Sequence, residues 1–412
     1  MGVTPSPMLW ASAPVYHSPQ PSAIEGVPWL RWLFWFAVFF GLLPGVMAYV
    51  VWAERKVAAR FQDRIGPNRV GPLGLLQSIA DAIKLITKEH LVPTTADAWV
   101  HTMAPVLLLV SAFLMLAVIP FGSGLAAVNP PSGLLFLVAI TSLSPLAIFL
   151  AGWSSRNKFS LIGAMRAVAQ LVSYEVPQVL ATVPVVLWAG SLSLVAIFDR
   201  QVDLGWFLLS PPGLLSFLIL TIANIAEVNR APFDLPEAES EIIAGYHTEY
   251  SGMRFALFFL AEYLGIFGVS CLGTALFLGG GTLPFVGGLQ VNAFGTGRWP
   301  AFLATNAALV TIFSLKVAAY IFFIFWVRAT LPRLRVDRLM DFAWKYLVPL
   351  ALANLMIAAV WFELVIRPAT PHHLLGWLVT APLVAGAVVG VVAINRAAAK
   401  ASPGPVMTPR LR

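Results

Sequence analysis

The stretch LLSPPGLLSFLILTIANIAEVNRAPFDLPEAESEIIAGYHTEYSGMRFALFFLAEYLGIFGVSCLGTALFL, residues 208–278, holds two apolar runs, 208–226 and 253–278. Each is close to the length of about 20 residues that a helix needs to cross the hydrocarbon core of a bilayer. Lipid offers no partner to a free backbone N–H or C=O, so runs this apolar cross as helices. Neither shows the alternation of an outer-membrane strand. Between them stand Glu227, Asp234, Glu237, Glu239, Glu241 and Glu249. Charge is costly at bilayer depth, and a chain that keeps several acids there holds them in a wet interior where they pair, exchange protons or guide ions.

The same pattern extends outward. The chain of 412 residues is 59% hydrophobic and 11% charged, with a mean hydropathy of +0.82, which is the composition of a polytopic membrane protein with no separate soluble domain. Nine spans are expected, at 30–52, 103–121, 133–152, 167–189, 208–226, 253–278, 301–327, 343–366 and 376–395. The fold class is all-α. Residues 1–29 read as an external leader without the basic region of a removed signal peptide. Residues 30–366 form the core, and 367–412 add a last helix and a basic tail.

Charge sorts by loop. Most of the 26 Lys and Arg fall in 53–100, 153–166, 229–252, 328–342 and the C-terminal tail, which the positive-inside bias assigns to the cytoplasm, with the N-terminus outside. The net charge of +7 therefore follows membrane sidedness and does not indicate nucleic acid. Loops 122–132 and 279–300 carry little charge and read as turns. Within 53–100, Gln77, Asp81, Lys84 and Lys88 share one stripe while Leu76, Ile79, Ile83 and Ile86 form the other, the pattern of an amphipathic helix at the membrane surface.

Redox and metal chemistry find little footing in this chain. A lone Cys271 forms no intrachain disulfide and cannot hold an iron–sulfur cluster by itself. The six histidines make no metal motif. RIGPNRVGP, 64–72, is a constrained turn without the glycine pattern of a nucleotide site.

Asp234 followed by Pro236 and Glu237 has the form of a helix start, and acids in a first turn interact favourably with the helix dipole. That reading leaves Glu227, Glu239, Glu241 and Glu249 unexplained. With Asp234, Glu237 and Glu241 on one helical face, mutual repulsion makes protonation responsive to a nearby charge. Glu175, Glu262 and Lys316 lie within or beside spans, where a glutamate paired with Lys316 is the structural alternative to a polar pathway. Glu54, Arg55 and Lys56 end the first span and read first as snorkelling anchors.

AERK (53–56), RIGPNRVGPLGLLQSIADAIKLITKE (64–89), GWSSRNKFSLIGAMRAVAQLVSYE (152–175), NRAPFDLPEAESEIIAGYHTEYSGM (229–253), FFLAEY (258–263) and RATLPRLRVDRLMDFAWK (328–345) occur in this order. From Ala53 to Pro349 the chain resembles the quinone-site membrane subunit of respiratory complex I, known as the H subunit in bacteria and as subunit 1 in mitochondria. The resemblance implies a bacterial inner-membrane protein that joins the membrane arm to the peripheral arm. It would form the chamber through which ubiquinone or menaquinone reaches its reduction site. FMN and iron–sulfur clusters would reside in peripheral-arm partners, with small membrane-arm subunits alongside. By motif position, Arg55, Asp81, Phe255 and Arg328 would line the chamber. Glu175, Glu227, Asp234, Glu237, Glu239, Glu241 and Glu262 would form the acidic path to proton movement, with Arg230, Arg333 and Lys316 as counter-charges. The loop at 279–300 and the span after Pro368 exceed the usual eight-helix pattern. The alternatives are the homologous subunit of a membrane-bound hydrogenase or formate hydrogenlyase, and a free-standing ion transporter.

Overall fold

The computed structural model describes residues 28–122, 125–235, 244–283, 299–367 and 373–401. All regular structure among them is helical. α1 (Pro28–Ala37) runs through a π-turn, Val38–Leu42, into α2 (Leu43–Phe61). α3 (Gln77–Thr87) is the amphipathic helix. α4 (Ala98–Ala117), α5 (Gly133–Thr141), α6 (Leu143–Ser154), α7 (Lys158–Ala189) and α8 (Leu194–Leu204) follow. The rest are α9 (Pro211–Glu227), α10 (Gly252–Phe277), α11 (Trp299–Thr330), α12 (Val336–Phe342), α13 (Val348–Trp361) and α14 (His373–Ala401). Further π-turns, Ala343–Leu347 and Phe362–Ile366, flank α13.

Eight helical stretches among the described residues are long and apolar enough to cross a membrane. The fifth expected span is the exception. It is α9, whose 17 residues rise only about 25 Å, short of a hydrocarbon core of about 30 Å. Both ends of α9 are therefore drawn into the protein. α7, α10 and α13 pack around it, and Leu220, Ala223, Asn224 and Ala226 are wholly enclosed.

Local chemistry sets the helix ends. Asn157 caps α7 by accepting from the Phe159 amide, and Gly190 stops it at φ 68°, a left-handed conformation that glycine takes without strain. Ser193 caps α8 through the Ala196 amide, and Ser210 caps α9 through the Gly213 amide, ahead of Pro211 and Pro212. Each such cap is worth about 1 kcal/mol.

The loops between spans gather on two opposite faces. On one, Leu91 meets Ser251, Asp97 meets Ser154, Asn157 meets Glu249, and Leu334 meets Pro232. This is the charge-rich face. On the other, Leu134 meets Leu192, Asn129 accepts from Ser193, and Gly279 meets Gln201. α14 packs on the outside of this body, with Gly376 seated against Trp361 and Val365, while Leu374, Leu378, Val389 and Ile394 point outward.

Candidate functional site

Beside the charge-rich face, α2, α3 and α10 enclose a cleft of about 490 Å³. Its walls are chiefly apolar, with Met47, Val51, Leu85, Phe259 and Leu260 among them, and its polar groups include Arg55, Ser78, Asp81 and Tyr263. An Arg55 guanidinium N–H donates to Asp81 Oδ2 at 2.6 Å, and Gln77 donates to Asp81 Oδ1 at 2.9 Å. Ser78 donates to the Ala48 carbonyl at 2.6 Å and ties α3 to α2. The stripe that faces away from the cleft, Leu76, Ile79, Ile83 and Ile86, is exposed, as a helix lying in a membrane surface requires. Phe255 lines the same cleft. Arg328 lies elsewhere, on Glu54.

Behind Tyr263 lies a buried set of charges. The Arg230 guanidinium stacks 4.7 Å from the Tyr263 ring centre and reaches Glu54 Oε1 at 3.6 Å and Glu262 Oε1 at 3.5 Å. Arg328 closes on the same Glu54 oxygen. The snorkelling expected of Glu54 is thus overturned: its side chain is 7% exposed and holds two arginines. The sequence placed it beside Arg55 and Lys56, but helical geometry turns adjacent side chains about 100° apart, so Glu54 faces the interior while Arg55 faces the cleft. Two carboxylates and two guanidiniums balance formally here. Removing one partner of such a set leaves an uncompensated buried charge, typically worth about 3–5 kcal/mol.

Glu227 ends α9 in a different setting. Gln178 donates to it and also to Asn224 Oδ1 at 3.2 Å. Glu175 stands close enough to act on it electrostatically and has the Ser142 hydroxyl as a neighbour. No ion pair reaches Glu227 or Glu175 among the described residues. A cavity of about 70 Å³, with chiefly apolar walls that include Leu108, Met115 and Ile148, borders Glu227 and Glu262 together with Ser111, Thr141, Ser144 and Asn229, so one small space touches both acids.

The turn after α9 is clamped from α7. Gln170 donates at 2.7 Å to the carbonyls of both Ala226 and Phe233. Asp234 follows and takes an Arg333 N–H at 3.0 Å. Glu237, Glu239 and Glu241, with the helix expected to start there, lie outside the described residues. Beyond them, Tyr250 stacks flat on His101 with ring centres 3.9 Å apart, and burial pushes its phenol up to about 12. His247 is enclosed by Tyr246, Phe255 and Phe258, and burial pulls its imidazole down to about 3.

Lys316 meets backbone instead of an acid. Its ammonium donates to the carbonyls of Leu278 (2.6 Å), Gly280 (2.8 Å) and Thr282, and lies 4.1 Å from the Trp206 ring centre. The glutamate–Lys316 pairing weighed from sequence is absent among the described residues, because the start of the loop after α10 folds back over the ammonium. Gln170 and Gln178 were also missed: a neutral amide in an apolar run carries no sequence signal beyond its own polarity.

A family model described as NADH dehydrogenase matches residues 34–359. The NADH-quinone oxidoreductase H subunit of Dehalococcoides mccartyi (strain CBDB1) is 47% identical over 340 residues, 82% of this chain and 89% of that protein. The chain belongs to the H-subunit family of NADH-quinone oxidoreductases. The H subunit of Brevibacillus brevis is 45% identical over 335 residues, covering 79% of this chain and 93% of the relative. That of Geobacillus kaustophilus is 46% identical over 339 residues, covering 79% and 95%. An H subunit is part of an enzyme complex, and this one is its multi-pass membrane part. The cleft and the charge network fall within the matched residues. α14 lies beyond them.

Proposed function

We propose that this H subunit forms the membrane-level entrance to a quinone chamber and carries the charges that couple quinone reduction to proton movement. A quinone has a lipid-soluble tail and two carbonyl acceptors, so its route needs an apolar opening with a few polar groups to orient the head. The cleft between α2, α3 and α10 supports this reading: apolar walls, Arg55 as a donor, Asp81 to hold Arg55, and Phe255 beside them. Arg328 belongs to this reading as the residue that fixes Glu54 behind the chamber wall. Ubiquinone and menaquinone share the chemistry the cleft would recognise.

Electrons would come from an iron–sulfur cluster in a peripheral-arm subunit docked on the charge-rich face, fed by FMN in another partner. That face would be cytoplasmic, with the N-terminus on the opposite side. The coupling acids divide by their partners. Glu262 and Asp234 are held by Arg230 and Arg333 and would pass on an electrostatic change. Glu227 and Glu175, with amide and hydroxyl neighbours, would take up and release protons. Glu237, Glu239 and Glu241 would extend the acidic path.

The observation that carries the quinone reading is the Arg55–Asp81 pair on the wall of the cleft. In the assembled enzyme, Arg55→Ala and Asp81→Asn should raise the apparent quinone KM and change the preference between short- and long-tailed quinones. Unchanged kinetics for both quinone classes would remove the cleft from the route. Co-purification with a nickel hydrogenase in place of an NADH-oxidising module would favour the hydrogenase-type alternative.

A further inference from the structure

α3 bridges α2 and α10 and is tied at both ends. On the α2 side, the Trp52 indole N–H donates to the Leu73 carbonyl at 3.2 Å, Ser78 donates to the Ala48 carbonyl, and Arg55 donates to Asp81. Residues 48, 52 and 55 share one face of α2 by their spacing. At the other end α3 stops at Thr87, Lys88 turns extended at ψ 138°, and the chain passes the start of α10. There the Ser251 hydroxyl donates to the Glu89 carbonyl at 3.2 Å and accepts from the Leu91 amide at 3.1 Å.

Ser251 immediately precedes α10, a position where a serine oxygen ordinarily accepts from an amide of the first turn. It makes no such bond here. The start of α10 thus forgoes a cap, and the hydroxyl is spent on the segment that follows α3. Gly252 makes the close approach possible: its φ is 59°, and a Cβ there would lie 2.8 Å from His90 Nδ1 and 3.2 Å from the Lys88 carbonyl. Lys84, Leu85 and Ile86 of α3 and Met253, Phe255 and Ala256 of α10 line the cleft, all within a few residues of this tie. Ser251 is not itself among the lining residues.

We infer that Ser251 is a positioning residue for quinone, a latch that holds the far end of α3 on α10 and so fixes the width of the cleft between them. The inference rests on the reading of that cleft as the quinone route. Each of its two hydrogen bonds favours the latched arrangement by about 2- to 12-fold net. An unlatched α3 leaves one wall of the cleft unordered, and a quinone that binds must then supply the ordering. Apparent affinity falls with the fraction of molecules in the competent arrangement, while the reduction step that follows binding is unchanged.

The test compares Ser251→Ala, which loses both bonds and no helix cap, with Ser251→Thr, which keeps the hydroxyl, in the assembled enzyme. Two readouts are taken: hydrogen exchange at the Leu91 amide, and kcat and KM for NADH oxidation by a short-tailed quinone. The Ala variant should exchange Leu91 about fivefold faster and raise the quinone KM about fivefold at unchanged kcat. The Thr variant should match the native enzyme in both. Native exchange at Leu91 in Ser251→Ala overturns the latch. Faster exchange with an unchanged KM, where Arg55→Ala raises KM, overturns Ser251 as a positioning residue and leaves the quinone cleft standing. An unchanged KM in both Ser251→Ala and Arg55→Ala overturns the cleft as the quinone route, and the inference with it. Failure of Ser251→Ala to assemble, with Ser251→Thr intact, also overturns the inference, because the hydroxyl then serves folding and not quinone binding.

Discussion

Glu54, at the end of the first span, and Arg328, at the end of α11, form a buried ion pair, and Arg230 approaches the same carboxylate oxygen from the turn after α9. One side chain thus ties three distant segments together behind the cleft. Glu54→Gln removes the carboxylate that Arg328 and Arg230 both approach, with Glu262 still beside Arg230. The expected loss is near the range of about 3–5 kcal/mol for breaking a buried pair, read as a clear drop in the thermal inactivation temperature of the assembled enzyme. Arg55→Ala breaks a half-exposed pair worth about 1 kcal/mol or less and should barely move that temperature. Equal shifts in the two variants would contradict this ranking.

Glu227→Gln keeps the shape of the side chain and removes its titratable group. The amide can still meet Gln178, so assembly and NADH oxidation by an artificial acceptor at the flavin should be retained. Quinone-linked turnover and proton pumping should fall together, by about tenfold or more, the scale of losing a positioned proton carrier. Full quinone reductase activity with an undiminished gradient would remove Glu227 from the coupling path.

Gly163 tests the packing that places the turn after the acidic stretch. A Cβ added there would lie 2.7 Å from the Gly245 Cα, backbone against backbone, with no flexible side chain to yield. Gly163→Ala should displace the turn at 244–248 and cost about 1–3 kcal/mol, as overpacking does. Increased proteolysis of that turn, or reduced incorporation into the complex, would be the readout. Wild-type incorporation and protease resistance would show that the two backbones can separate at no cost.

His247 gives the region an acid-sensitive side. Burial pulls its folded-state pKa to about 3 from an ordinary 6.5, so the unfolded chain binds the extra proton between these values. Stability from this group is complete above about pH 6.5 and declines as pH falls toward 3, by up to about 1.4 kcal/mol per pH unit. His247→Phe, an apolar ring among Tyr246, Phe255 and Phe258, should flatten the acid limb of the thermal-inactivation profile. An unchanged acid limb would place that sensitivity in other groups.

The apolar spans and the amphipathic α3 were legible in the sequence because each depends on neighbours in the chain, whereas the caps that end α7 and start α8 and α9 were not read from it. Hydropathy over about 20 residues decides partition into lipid, and a period of 3.6 marks the apolar stripe of α3. The ordered motifs carried the family for the same reason, and through it the choice of Arg55 and Asp81 as chamber residues. The partners of the charges were not legible. Whether Glu54 snorkels or holds Arg230 and Arg328 depends on which helix packs against its face. Lys316 finds carbonyls because the residues after α10 fold back over it. Tertiary structure alone divided the acids into those held by arginine, Glu262 and Asp234, and those met by amide or hydroxyl, Glu227 and Glu175. Membrane insertion is a sum over local transfer energies, whereas the pairing of buried charges is fixed by contacts between segments far apart in the chain.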